Sequence, residues 1–109
     1  MGHDISAANS GGELVAYARF SMWNRNADVL YDLLGAEECN AGVSGSGEIV
    51  QFSLQQIENA LTRFTESIKN GSALLDHESG EWDQKQIMEF LVKCLETAKK
   101  EGSVNVYFA

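Results

Sequence analysis

Two segments of the chain alternate apolar and polar residues with a period of two, which is the pattern of a β-strand with one buried face. The first spans residues 13–23 and the second residues 103–108. Residues 9–12 read Asn-Ser-Gly-Gly, which is typical of tight turns, so residues 3–8 and 13–23 are predicted to form a hairpin. The apolar side of the hairpin strand, predicted to face the core, carries Leu14, Ala16, Ala18, Phe20 and Met22.

Three other segments repeat apolar residues every three or four positions, as amphipathic helices do. The first is short and is predicted to end at Leu34, ahead of Gly35. The second is predicted to begin at Ser53, because Ser53 and Gln56 have the spacing of a capping box. Its apolar stripe consists of Leu54, Ile57, Leu61, Phe64 and Ile68.

The third helix is predicted to begin at Asp83, because Asp83 and Gln86 repeat the capping-box spacing, and to end before Gly102. Cys94 lies within its apolar stripe, where a free thiol packs like a small apolar side chain. A disulfide between Cys94 and Cys39 is therefore not expected. The stripe, which should make this helix the most buried, consists of Ile87, Phe90, Leu91, Cys94, Leu95 and Ala98.

These elements run in the order strand, strand, helix, loop, helix, helix, strand, which predicts an α+β fold. We expect a single domain over residues 1–109, in which the N-terminal hairpin and the C-terminal strand belong to one small antiparallel or mixed sheet of three to four strands. Two long helices and one short helix should pack on one face of this sheet. A glycine-rich loop at approximately residues 36–52 is predicted to be mobile, although residues 48–52 can form a further strand.

The net charge of the chain indicates which classes of partner it can bind. Its 109 residues include 16 acidic and 8 basic ones, which give a net charge of −8. This excess opposes binding to nucleic acid, which depends on cationic side chains, so no direct nucleic-acid partner is expected. No apolar run is long enough to span a membrane and no leader-like segment is visible, so we expect a cytoplasmic protein without a membrane partner. No cofactor is expected.

Asp76, His77 and Glu78 form the strongest concentration of possible metal ligands. Carboxylates beside an imidazole suit a divalent cation, so a small metal-dependent hydrolase using His77 and nearby carboxylates is the alternative hypothesis. The spacing matches neither the H-E-x-x-H motif nor an EF-hand loop, and a solvated acidic loop explains the residues more simply. A nucleophilic Cys39 would need His77 or His3 beside it. We therefore expect no metal site. Because no set of candidate residues has the spacing of a known catalytic site, a protein that is not an enzyme is favoured.

The second side of the hairpin strand suggests binding rather than catalysis. It carries Tyr17, Arg19 and Trp23, which are residue types enriched at binding hot spots, and Tyr107 joins them if the last strand is adjacent. Either a partner binds this face or the loop at residues 36–52 folds over it. The leading hypothesis is a small acidic noncatalytic protein that acts by protein–protein contact, as an inhibitor or immunity-like factor for a basic partner.

The acidic residues would assist such contact. No basic residue lies between Arg25 and Arg63, an interval that contains Glu37, Glu38 and four other carboxylates. Charges at the rim of an interface accelerate association, so Glu37 and Glu38 are predicted to contribute to partner binding. A role in solubility alone would explain the same charges.

Overall fold

The computed structural model describes residues 2–21, 26–41, 44–69 and 80–109. Its strands are β1 (Gly2–Ala8), β2 (Leu14–Ser21), β3 (Glu48–Ser53) and β4 (Ser103–Phe108), and its helices are α1 (Asn26–Leu34), α2 (Leu54–Lys69) and α3 (Gly80–Glu101). The strands form one sheet in the order β2-β1-β4-β3, with every neighbouring pair antiparallel. The predicted α+β fold is thereby confirmed.

The first and last strands lie side by side at the centre of the sheet, which confirms the prediction that they share it. Asp4 and Ala109 exchange two backbone hydrogen bonds of 3.2 and 2.9 Å at one end of this pairing. The third and fourth strands, β3 and β4, pair from Glu48 opposite Phe108 to Ser53 opposite Ser103. Residues 48–53 therefore form the additional strand that the sequence allowed.

The core lies between the helices and one face of the sheet. As the alternation predicts, this face buries two alanines and Phe20 on β2, against which α3 packs, and two valines and Phe108 on β4. The buried sheet residues are Ile5, Ala7, Ala16, Ala18, Phe20, Phe52, Val104, Val106 and Phe108. The helical stripes face them as predicted, with Ile57, Phe64, Phe90, Leu91 and Cys94 fully buried.

Leu14 is an exception, because the prediction that it faces the core is wrong. Its side chain is 65% exposed. The pairing of β1 with β2 shifts register between Ala7 and Ala8, so Leu14 sits opposite Ala8 beyond this irregularity. A bulge re-aims the side chains that follow it, and period-two counting along one strand cannot detect it.

The predicted capping box at the start of α2 is present. Ser53 N–H donates to Gln56 Oε1 at 2.8 Å, and Gln56 N–H donates to Ser53 Oγ at 3.2 Å. The matching prediction for α3 is wrong, since that helix begins at Gly80 rather than Asp83. Asp83 is instead buried and accepts hydrogen bonds from Asn26 Nδ2 at 2.7 Å and from Gln86 Nε2 at 2.8 Å.

The residues before β3 are attached to the end of β4. A short 3₁₀ turn covers Glu37–Cys39, and Asn40 then forms a single β-bridge with Gly45. Gly45 N–H donates to the Ala109 carbonyl at 2.8 Å, and Gly47 N–H donates to the Phe108 carbonyl at 2.7 Å. Gly45 lies so close to β4 that a Cβ at this position would overlap the backbone of Phe108.

We therefore expect Gly45→Ala to lower the free energy of unfolding by about 1–3 kcal/mol, the usual cost of forcing extra volume into a packed site. Urea unfolding followed by circular dichroism measures the change. Gly11→Ala is the matched control, because its nearest heavy atom, Asn9 Oδ1, would lie at an ordinary contact distance of 3.4 Å. Equal stability of the two variants would show that the close approach of Gly45 to β4 is unimportant.

Candidate functional site

The helices cover one face of the sheet, and the opposite face, here called the open face, presents a row of side chains with one from each strand. Ile49 lies opposite Tyr107, Tyr107 opposite Ser6, and Ser6 opposite Tyr17. Cross-strand partners point to the same face, so these four side chains form one row across the sheet, each next to the side chain on the adjacent strand. Ile49, Tyr107 and Tyr17 are 69%, 42% and 50% exposed. Large apolar and aromatic groups thus reach solvent across the whole width of the sheet.

A groove of about 320 Å³ lies on the open face beside this row. All four strands and the turn between β1 and β2 contribute to its lining. Its lining contains three aliphatic side chains, one tyrosine and several neutral hydrogen-bonding groups, but no charged side chain. The lining residues are Ser6, Ala8, Asn9, Ser10, Gly12, Leu14, Ile49, Asn105 and Tyr107. Such a lining suits an uncharged, largely apolar group.

Tyr17 is held in place at the other end of the row. Its hydroxyl donates a hydrogen bond to the Asp4 carboxylate, and Arg19 Nε lies 3.5 Å from the same carboxylate. The hydrogen bond to Asp4 raises the pKa of Tyr17, so the phenol stays neutral at physiological pH. The Arg19 guanidinium is well exposed, so this ion pair contributes orientation rather than much stability.

The structure brings together three of the predicted partner-binding residues. Tyr17, Arg19 and Tyr107 share the open face, but β1 separates β2 from β4, so Ser6 lies between the two tyrosines. Trp23 lies outside the described residues. The described residues of the 36–52 segment run along the end and edge of the sheet and leave Ile49, Tyr107 and Tyr17 exposed.

Sequence reasoning missed Ile49 and Leu14 as members of the open face. Val50 and Phe52 are two positions apart and face the core, so the odd-numbered Ile49 must face the other way. The period-two pattern of residues 49–52 therefore contained the information needed to place Ile49 on the open face. Leu14 gave no such signal, because the register shift that exposes it depends on the pairing with β1.

Three carboxylates gather where β3 begins, and we call this group the acidic end: Glu37, Glu38 and Glu48, all exposed. Cys39 links two of them. Its Sγ donates to Glu48 Oε2 at 3.5 Å, and burial, this hydrogen bond and the charges of Glu48 and Glu38 together raise the pKa of the Cys39 thiol. The turn that carries both predicted residues, Glu37 and Glu38, approaches the start of β3 through Cys39, whose carbonyl also accepts a hydrogen bond from Ser46 N–H at 2.8 Å.

Two other carboxylates of the same interval have partners that hold them. Asn40 Nδ2 donates to Asp28 Oδ1 at 2.7 Å, and Arg63 lies 3.2 Å from the Asp32 carboxylate. They are therefore less available to a basic ligand than the acidic end.

The residues of the alternative metal site, Asp76, His77 and Glu78, lie outside the described residues. Among residues 2–21, 26–41, 44–69 and 80–109, no three histidine, cysteine or acidic side chains are placed to hold a metal ion together. The other histidine, His3, is buried, with Nδ1 3.0 Å from the Tyr31 hydroxyl. Burial raises the pKa of Tyr31 to about 12, so its phenol stays neutral, and its contact with His3 is a hydrogen bond within the core.

The chain matches no protein-family model, no curated protein and no solved structure. Within the part of the chain that is described, no helix has both the length and the apolar character needed to cross a membrane.

Both cysteines are expected to resist alkylation in the native protein at pH 8. Burial raises the pKa of Cys94 from 9.0 to about 12, and the pKa of Cys39 is raised as well, so thiolate is scarce until the pH exceeds the ordinary thiol range. Mass spectrometry after timed iodoacetamide treatment measures labelling in buffer and in urea. The exposed variant Ser10→Cys provides the control for reagent activity. Rapid native labelling of Cys39 would contradict its assignment as a structural thiol.

Proposed function

We propose that this chain is a noncatalytic protein-binding module that engages its partner through the open face. The row formed by Ile49, Tyr107 and Tyr17 is the observation that carries the proposal, because exposed aromatic and aliphatic side chains grouped on one face mark protein contact sites. Ile49 and Tyr107 are direct neighbours, and Ser6 lies between Tyr107 and Tyr17. The adjoining groove gives such a contact a concave, uncharged centre for an anchoring side chain.

The electrostatics favour a basic partner. The chain carries a net charge of −8, and the acidic end lies where β3 begins, on the side of the sheet that Glu48 shares with Phe108 and Cys39, next to the open face rather than on it. Carboxylates that stay in water attract a basic protein over distances near the Debye length and so accelerate encounter. Binding of this kind fits an inhibitor or immunity-like factor that covers a basic target.

Replacing Tyr107 with serine should abolish retention of the partner, because it removes the central aromatic side chain of the row and one side of the groove. Immobilised protein captures the partner from lysate of the source cells, and titration calorimetry then measures affinity with the purified partner. A hot-spot tyrosine of this kind contributes about 2 kcal/mol or more, which corresponds to a loss of roughly thirtyfold in affinity.

Trp82→Ser is the matched control, because Trp82 is another large exposed aromatic side chain, 70% accessible, and lies on α3 rather than on the open face. This variant should bind like the unaltered chain. Equal affinity of the Tyr107 variant and the Trp82 variant would refute the open face as the contact surface.

The double variant Glu37→Lys and Glu38→Lys should slow association with little change in dissociation, because charges outside the buried contact act mainly on the encounter rate. Stopped-flow or surface-plasmon measurements between about 50 and 300 mM salt follow the effect, and the association rate of the unaltered chain should fall with salt. The matched control is Glu58→Lys together with Glu66→Lys, two exposed carboxylates on α2. If association is independent of salt, the acidic residues serve solubility alone.

A further inference from the structure

The two edge strands of the sheet, β2 and β3, differ in whether their outward backbone groups are hydrogen-bonded within the chain. At the outer edge of β2, Arg19 N–H donates to Gln86 Oε1 at 3.0 Å, and Gln86 Nε2 donates to the Arg19 carbonyl at 2.9 Å. One side chain of α3 thus occupies both outward backbone groups of Arg19. This contact obstructs the addition of another strand at that edge.

The outer edge of β3 has no such cover among its described contacts. Leu54 N–H donates to the Gly102 carbonyl across the ladder between β3 and β4, and ladder groups alternate in direction along a strand. The backbone groups of Ile49 and Gln51, an odd number of residues from Leu54, therefore point away from β4. Both side chains are exposed, and residues 49–53 contain no charge, proline or register shift of the kind that protects natural edges.

We propose that an extended segment of the protein partner binds along β3 as an additional strand. This inference rests on the proposed function, since it specifies how the partner engages the open face. Backbone pairing with Ile49 and Gln51 would supply affinity, as in other cases of strand addition. Alternate side chains of the added segment would lie beside Ile49 on the open face and continue the row that runs through Tyr107.

The acidic end determines which segment fits. Glu48 begins β3 and accepts a hydrogen bond from Cys39 Sγ, and Glu38 directly precedes Cys39 in the chain. A second copy of this chain would bring another net charge of −8 and its own acidic end to the contact, which disfavours self-association. The occupant is therefore a segment of alternating apolar residues with lysine or arginine near Glu48.

Selection of random peptides displayed on phage against the immobilised full-length chain tests this specificity. Alternating apolar residues flanked by lysine or arginine are expected in the recovered peptides. Hydrogen exchange of the unaltered chain then locates the contact, because an added strand should slow exchange at the Ile49 and Gln51 amides. The Val50 and Phe52 amides already point into the ladder and should change little.

The pair Gln51→Pro and Gln51→Ala isolates the backbone contribution. Both variants lose the hydrogen bond from Gln51 Nε2 to Ser103 Oγ, but only proline removes the outward N–H. The selected peptide should bind Gln51→Pro at least about tenfold more weakly than Gln51→Ala, through the lost hydrogen bond and the obstruction by the proline ring.

Three results would overturn strand addition: no recovered peptide, unchanged exchange at the Ile49 and Gln51 amides, or a dimer in sedimentation that Gln51→Pro dissociates, which would assign the edge to a second copy. If Gln51→Pro does not unfold cooperatively, the exchange result on the unaltered chain decides. Sensitivity to Tyr107→Ser without these edge effects would leave the proposed function intact and reject this inference. A partner insensitive to Tyr107→Ser would reject the proposed function itself.

Discussion

The antiparallel pairing of β1 with β4 is the contact on which the rest of the structure depends. A two-stranded hairpin alone is marginally stable in water, and the pairing with β4 joins β1 and β2 to a four-stranded sheet with one buried face. The pairing places Ile5 and Phe108 opposite one another on the buried face, where both side chains are fully buried. It also fixes the end of β4, whose carbonyls then receive the N–H groups of Gly45 and Gly47.

The same pairing creates the open face. Tyr17 on β2 and Tyr107 on β4 become parts of one surface only because Ser6 of β1 stands between them in register. A slip of one residue between β1 and β4 would turn Tyr107 into the core and Val106 toward solvent. The buried row of apolar β4 residues therefore specifies the register, and the register in turn places the exposed row.

Local patterns in the sequence predict much of this fold. Alternation identifies the exposed sides of β2 and β4, which carry Tyr17 and Tyr107, and the Ser53–Gln56 spacing identifies the start of α2. These signals succeed because the partner groups lie within a few residues along the chain. The same signal fails for Asp83 and Gln86, whose side chains bond to Asn26 and Arg19 from distant segments. Strand order, the register shift at Leu14 and the place of Ile49 beside Tyr107 likewise depend on long-range pairing.

The groove on the open face and the acidic end are separate surfaces, so a partner can cover the groove while the acidic end remains in water. A carboxylate covered by a partner loses its hydration, which is costly unless a partner group replaces it, but the lining of the groove contains no charged side chain. The Tyr17 hydroxyl already donates to Asp4, so covering it leaves no unsatisfied donor. The exposed carboxylates of the acidic end can attract a basic protein while still hydrated. This division allows charge to govern encounter and apolar contact to govern affinity, without either opposing the other.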